Sequence, residues 1–222
     1  FEGLPDFFQM IYDEARKIKP NAVVENCPCG TCMSFFNMAS MNQAVSSDPL
    51  SSWQIRHKGK TYKALIPKTA YYGDHVELSD GGDDFATSFG IGAVLGTKFT
   101  WPKDNPQAEG KYLLTPEKEK IWKKWFGLYN DMMLSKGSYM GGVYDIGYDK
   151  PEGHIIQKNN KFYYAFYADN WDGEIILKGL DKNKSYSLYD YVNNKQLGKV
   201  SGENPIYKAS FDNYLFLEIT QN

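Results

Sequence analysis

Residues 22–30 read Ala22-Val23-Val24-Glu25-Asn26-Cys27-Pro28-Cys29-Gly30. A short β-branched run ends in polar residues, a proline and a glycine. That pattern predicts a short buried strand over residues 21–26, ending in a cysteine loop. The grammar repeats downstream. Residues 43–46 predict a second short strand, ended by Ser47-Asp48-Pro49. The proline there should hold Asp48 in an extended or turn conformation. Residues 71–78 predict a third strand with an exit loop that carries Gly73, Asp74 and His75. A fourth is predicted over residues 96–101, stopped by Pro102. The segments around these runs read as helices. Leu4, Phe7, Phe8, Ile11, Tyr12, Ala15 and Ile18 recur at helical spacing over residues 4–18, with Pro5 and Asp6 in the first turn and Pro20 beyond the end. Residues 34–41, 50–58 and 85–94 are read as helical too. A longer helix over 116–134 starts from Thr115 and Pro116, carries Ile121, Trp122, Trp125, Phe126, Tyr129, Met132 and Met133 on one core-facing stripe, and closes at Gly137. Strands alternating with helices, with polar residues just after each strand, predict a parallel α/β region. In a (β/α)8 barrel, catalytic residues sit at the C-terminal strand ends. The four ends here are Cys27, Asp48, His75 and Lys98, which amounts to half a barrel.

Beyond residue 140 the apolar period becomes two. Residues 162–167, 174–177, 185–189 and 214–218 read as strands. Asn159-Asn160, Asp172-Gly173, Asp181-Lys182-Asn183 and Asn193-Asn194 read as turns. The predicted organisation is therefore α/β plus all-β: half of a (β/α)8 barrel over residues 1–139, then a small antiparallel β-sandwich domain over 140–222.

Composition narrows the function. The 222 residues hold 25 Lys and Arg against 27 Asp and Glu, a net charge of −2. Nothing in that balance favours a nucleic acid or an anionic membrane as partner. No apolar run approaches the ~18 residues of a membrane span. Aromatics are 16% of the chain, as suits a β-rich domain or a carbohydrate-facing cleft. All three cysteines, Cys27, Cys29 and Cys32, fall within six residues. An odd number excludes a complete internal disulfide framework. Zinc wants four ligands, and His57, His75 and His154 are distant in sequence. Cys29 and Cys32 form a C-x-x-C that could serve thiol–disulfide chemistry. A tight loop with free thiols is the third reading.

Taken in order, Glu25-Asn26-Cys27-Pro28-Cys29-Gly30, Ser47-Asp48, Gly73-Asp74-His75-Val76 and the apolar segment over residues 92–99 resemble glycoside hydrolase family 36, the melibiase-like α-galactosidases. The resemblance covers roughly residues 1–135, and the terminal β domain agrees with it as a class. It implies a retaining α-glycosidase in which one carboxylate attacks the anomeric carbon and another protonates the leaving oxygen, ~5 Å away. Asp48 takes the acid/base position. It would need burial or a neighbouring negative charge to keep its proton. Cys27, Gly30, Ser47 and His75 would line the sugar pocket. No metal or organic cofactor is implied.

The chain departs from the family at several points. The family's second Asp, three residues after the first, is Ser51 here. Thr31 and Cys32 replace glycines, and Ala44 and Val45 stand where an aromatic is common. These changes leave room for another α-linked sugar than galactose. The family's nucleophile, an Asp on the fourth barrel strand, has no counterpart before residue 25. Asp13 and Glu14 read as solvated helix charges, and Asp74, Asp80, Asp83 and Asp84 follow a later strand. The expectation is a C-terminal fragment that begins Phe1-Glu2-Gly3 without Met and is inactive alone. It would be completed by the first half of the barrel or by self-association. A periplasmic or extracellular setting would suit a glycan-degrading parent. A non-catalytic carbohydrate-binding protein, a thiol–disulfide protein and a purely structural β protein stand as alternatives.

Overall fold

A computed structural model describes residues 3–27 and 34–222. The expectations placed on Cys29, Gly30 and Cys32 lie outside the described residues. The chain divides into two compact units, Phe1–Phe89 with Ala93–Asn130, and Gly90–Gly92 with Asp131–Asn222.

The first unit alternates helices and parallel strands. Helix α1 (Leu4–Ile18) is followed by β1 (Glu25–Asn26), a 3-10 turn (Phe35–Ser40), β2 (Gln43–Val45), α2 (Ser52–Leu65), β3 (Ala70–His75), α3 (Phe85–Gly90), β4 (Val94–Gly96) and α4 (Pro116–Met132). The strands form one sheet in the order β1-β2-β3-β4. Every pairing is parallel, with Glu25 beside Gln43, Ala44 beside Tyr71 and Tyr72 beside Val94. Helix α1 occupies the predicted residues. Helix α2 runs seven residues past its predicted end at 58, to Leu65. The reason is packing: Ser52, Ile55, Gly59 and Tyr62 keep one face buried at helical spacing. Its start is capped by Ser51, whose Oγ accepts the Gln54 N–H at 3.3 Å. Gly73 has no room for a side chain, because a Cβ there would collide with Ser88 of α3 and touch Ile55 of α2. Strand β4 lies earlier than predicted, at 94–96, because Val94 is the residue that pairs with Tyr72. Thr100 instead bridges Leu113. Helix α4 ends at Met132, with Met133 left-handed (φ 44°), so Gly137 (φ −83°) does not close it.

The second unit is one antiparallel sheet. Its strands are β5 (Ser138–Tyr139), β6 (Glu152–Lys158), β7 (Lys161–Ile176), β8 (Ser185–Asp190), β9 (Lys195–Ser201) and β10 (Ile206–Gln221), in the order β5-β6-β7-β10-β8-β9. Asn159 and Asn160 are both left-handed, as a tight β6–β7 hairpin requires. The turn predicted at Asp172-Gly173 does not form. These residues pair with Ser210 and Ala209 inside the sixteen-residue ladder of β7 and β10. That hairpin doubles back, with a register shift at Asp212/Asn213. Tyr164 Oη donates to Lys178 O at 2.7 Å, although 14 residues of straight strand would separate them by about 46 Å. The two halves of β7 therefore face one core, where Tyr164, Phe166, Ile175, Leu177, Leu188, Leu217 and Ile219 are buried together. A single bent sheet does the work expected of two sandwich layers. His154 is a satisfied core residue here, with Tyr139 Oη 2.7 Å from Nδ1 and Glu152 Oε1 2.7 Å from Nε2.

Candidate functional site

The residues that leave the four parallel strands are tied together by hydrogen bonds. Cys27, exposed after β1, places its Sγ 3.7 Å from Oγ of Ser47 after β2. Ser47 is buried, whereas Asp48 is exposed. Both are left-handed, at φ 56° and 43°. Of the extended and turn conformations expected before Pro49, Asp48 takes the turn, and tertiary partners hold it. The Asp48 N–H donates to Oδ2 of Asp74 at 2.8 Å. The Lys58 Nζ of α2 donates to the carbonyls of Ser46 at 2.7 Å and Ser47 at 3.2 Å.

Asp74, at the end of β3, is itself left-handed and only 6% exposed. Its Oδ1 accepts the His75 N–H at 2.8 Å and lies 3.4 Å from His75 Nε2. On the other side of the imidazole, Tyr72 Oη is 3.0 Å from Nδ1. Burial pushes the Tyr72 hydroxyl well above the usual phenol range, and the nearby charge of Asp74 adds to the effect. The phenol therefore keeps its proton, and the imidazole of His75 sits between it and the Asp74 carboxylate. One step further, Glu77 is 1% exposed. Its Oε1 accepts the Thr97 hydroxyl and, at 2.8 Å, the Lys98 N–H, which joins the exits of β3 and β4. Ser52 and Asp80 exchange reciprocal bonds, Ser52 N–H to Oδ2 at 3.2 Å and Asp80 N–H to Oγ at 3.1 Å.

The structure thus brings Cys27, Ser47, Asp48 and His75 into one connected chain, joined through Asp74. Lys98 enters it through its backbone, while its Nζ lies 5.2 Å from the centre of the Tyr112 ring. Burial does not surround Asp48, contrary to one arm of the expectation. Asp13 and Glu14 are exposed helix residues bonded to Gln9 and Lys17, as read from sequence. Sequence reasoning gives Glu77, Lys58 and Tyr72 no role and weighs Asp74 only as one of four acids that follow a later strand. The available signal was an acidic residue immediately before His75 in a strand exit. Both Asp74 oxygens accept backbone N–H groups, which makes it a fixed anion and a poor attacking group. Asp48 has the opposite character: an exposed residue on a turn whose backbone is pinned by its neighbours. Among the described residues no group of three or more His, Cys, Asp or Glu could hold a metal ion. No described helix is long and apolar enough to cross a membrane.

No protein-family model matches the chain. It is 29% identical over 229 residues to an A type blood α-D-galactosamine galactosaminidase of Flavonifractor plautii; the match takes in 99% of this chain and 20% of that protein. Among solved structures it superposes on α-galactosidase I of Mortierella vinacea (TM-score 0.63, 11% identity, 97% of this chain, 62% of that one). It superposes equally on a family 27 β-L-arabinopyranosidase of Geobacillus stearothermophilus (TM-score 0.65, 11% identity, 97% and 54%). An α-amylase of Geobacillus thermoleovorans has the same fold over 97% of this chain and 57% of its own (TM-score 0.62, 10% identity). The chain spans about a fifth of the curated relative it matches. Together these matches support a resemblance to α-galactosidase-like glycoside hydrolases as a group, and none of them singles out family 36. What the residues share with these glycosidases is a strand-and-helix fold joined to a β unit.

Proposed function

We propose that this chain is the second half of a (β/α)8 barrel plus the terminal β domain of a retaining α-glycosidase related to family 36. Asp48 acts as general acid/base, and the nucleophilic Asp is supplied from the first half of the barrel. The observation that carries the reading is the pinned, exposed Asp48 at a parallel strand end, in a chain related over nearly its whole length to a galactosaminidase. The substrate would be a terminal α-linked sugar of galactose configuration. The relative's name favours an amino sugar over plain galactose, and the departures at Ser51 and Thr31 leave room for a sugar other than galactose.

In the first half-reaction Asp48 gives its proton to the leaving oxygen while the nucleophile attacks the anomeric carbon; in the second it takes a proton from water. The nucleophile's negative charge, about 5 Å away, would keep that proton on Asp48 where burial does not. Cys27, Ser47 and His75 would border the sugar. Uncovered apolar surface supports the need for a first half. Helix α1 has no buried residue, and Leu4, Phe7 and Ile11 are 43%, 49% and 41% exposed along one stripe. Among the described residues β1 is an edge strand.

The test uses the longer polypeptide. Proton NMR of the products from an aryl α-galactosaminide and an aryl α-galactoside should show the α anomer first. Asp48→Asn should lower kcat/KM for substrates with poor leaving groups by about 100-fold or more. The β anomer first, or sugar binding without turnover in the wild-type polypeptide, would overturn the reading.

A further inference from the structure

We propose that Asp74 and Lys58 are positioning residues that clamp the Ser47–Asp48 peptide and so aim the Asp48 carboxyl; this deepens the glycosidase reading and rests on it. Two consecutive left-handed residues that carry a Cβ are disfavoured, so the turn at Ser47 and Asp48 must be held by its surroundings. The holding groups grip one peptide plane from opposite ends. The carbonyl of Ser47 and the N–H of Asp48 belong to the same peptide unit. Lys58 donates to that carbonyl at 3.2 Å and to the Ser46 carbonyl before it at 2.7 Å. Asp74 accepts the N–H at 2.8 Å. A cation therefore sits at the oxygen end of the peptide dipole and an anion at the hydrogen end.

Rotating this peptide by half a turn would point its oxygen at the carboxylate and its N–H at the ammonium. Both contacts would become repulsive together, so the clamp selects one orientation and with it the positive φ of Asp48. Pro49 has no N–H with which to stabilise another turn. The anion is kept from water, since Asp74 is 6% exposed, and its second oxygen is held by the His75 N–H. Ser51 then opens α2, so the clamped turn sits between a strand end and a capped helix start.

The experiment compares Asp74→Asn, Lys58→Met, Lys58→Arg and Asp48→Asn in the longer polypeptide. Asn tolerates the left-handed backbone at position 74, and Met keeps the aliphatic stem at 58, so either variant can decide the matter if the other does not fold. Each is assayed on a 2,4-dinitrophenyl α-glycoside, which needs no acid, and on an alkyl α-glycoside, which does. A displaced acid should lower kcat/KM for the alkyl glycoside by about 10- to 100-fold and leave the activated one within about threefold. Lys58→Arg should recover most of the loss. Equal losses on both substrates, or none on the alkyl glycoside, would overturn the clamp. If Asp48→Asn shows the leaving-group dependence and the clamp variants do not, the clamp alone falls. If Asp48→Asn shows none, the glycosidase reading falls with it.

Discussion

In the β unit, two sixteen-residue strands pair along nearly their full length and bend to enclose a core in which Tyr164, Phe166, Leu177, Leu188, Leu217 and Ile219 are almost wholly shielded from water. Among the described residues of the α/β unit no strand exceeds six residues, and no residue of the first helix is fully buried. Met10, Ile18, Val23, Phe35 and Phe36 stand 56% to 83% exposed along its first forty residues. The difference teaches where each unit finds its apolar partners. An antiparallel hairpin can fold over onto itself and close its own core. A parallel sheet grows by adding βα units, and its outermost strand and helix wait for the next one.

The comparison can be broken by mutation, beginning where the effect should be largest. Phe166→Ala empties a closed core and should cost about 3–5 kcal/mol in denaturant unfolding of the β unit. A loss below about 1 kcal/mol would show that this core is not closed. Alkaline pH should act next. Burial pushes Tyr163 up to about 12, and Tyr139, Tyr144, Tyr164 and Tyr191 further above the usual 10. Below pH 10 these phenols are neutral whether the chain is folded or not, so their contribution is fully present. Above it the unfolded chain gives up protons that the folded unit retains, and stability falls as pH rises through 12 and beyond. Hydrogen exchange between pH 9 and 11 should reveal that loss in the β unit. Flat protection across the range would contradict it.

Smaller effects sharpen the other side. Ser51→Ala removes the α2 cap and should cost about 1 kcal/mol, visible as faster exchange in the first turn of α2. Ile18→Ser, at a position 83% exposed, should change the stability of this chain by less than about 0.5 kcal/mol. In the longer polypeptide the same substitution should cost more, if α1 is covered there. Equal effects in both settings would mean that this face stays open.

Local periodicity made most elements legible. The stripe Leu4-Phe7-Ile11-Ile18 marked α1, Thr115-Pro116 marked the start of α4, and the strand exits at Cys27, Asp48 and His75 were visible as polar residues after apolar runs. What stayed hidden depends on partners distant in the chain. Asp172-Gly173 carries a turn's composition, yet pairing with Ser210 and Ala209 keeps it extended. Asp48-Pro49 signals an extended or turn conformation without choosing between them; Asp74, 26 residues on, and Lys58, from the following helix, hold the left-handed turn. Residue types and spacing alone determined that strand ends would carry the polar chemistry, because the alternation of periods is a local property of the chain. Only the tertiary structure decided which carboxylate is exposed and which is buried as an anchor. Asp48 and Asp74 are the same residue type in similar strand exits, and they differ only in which donors the fold brings to them.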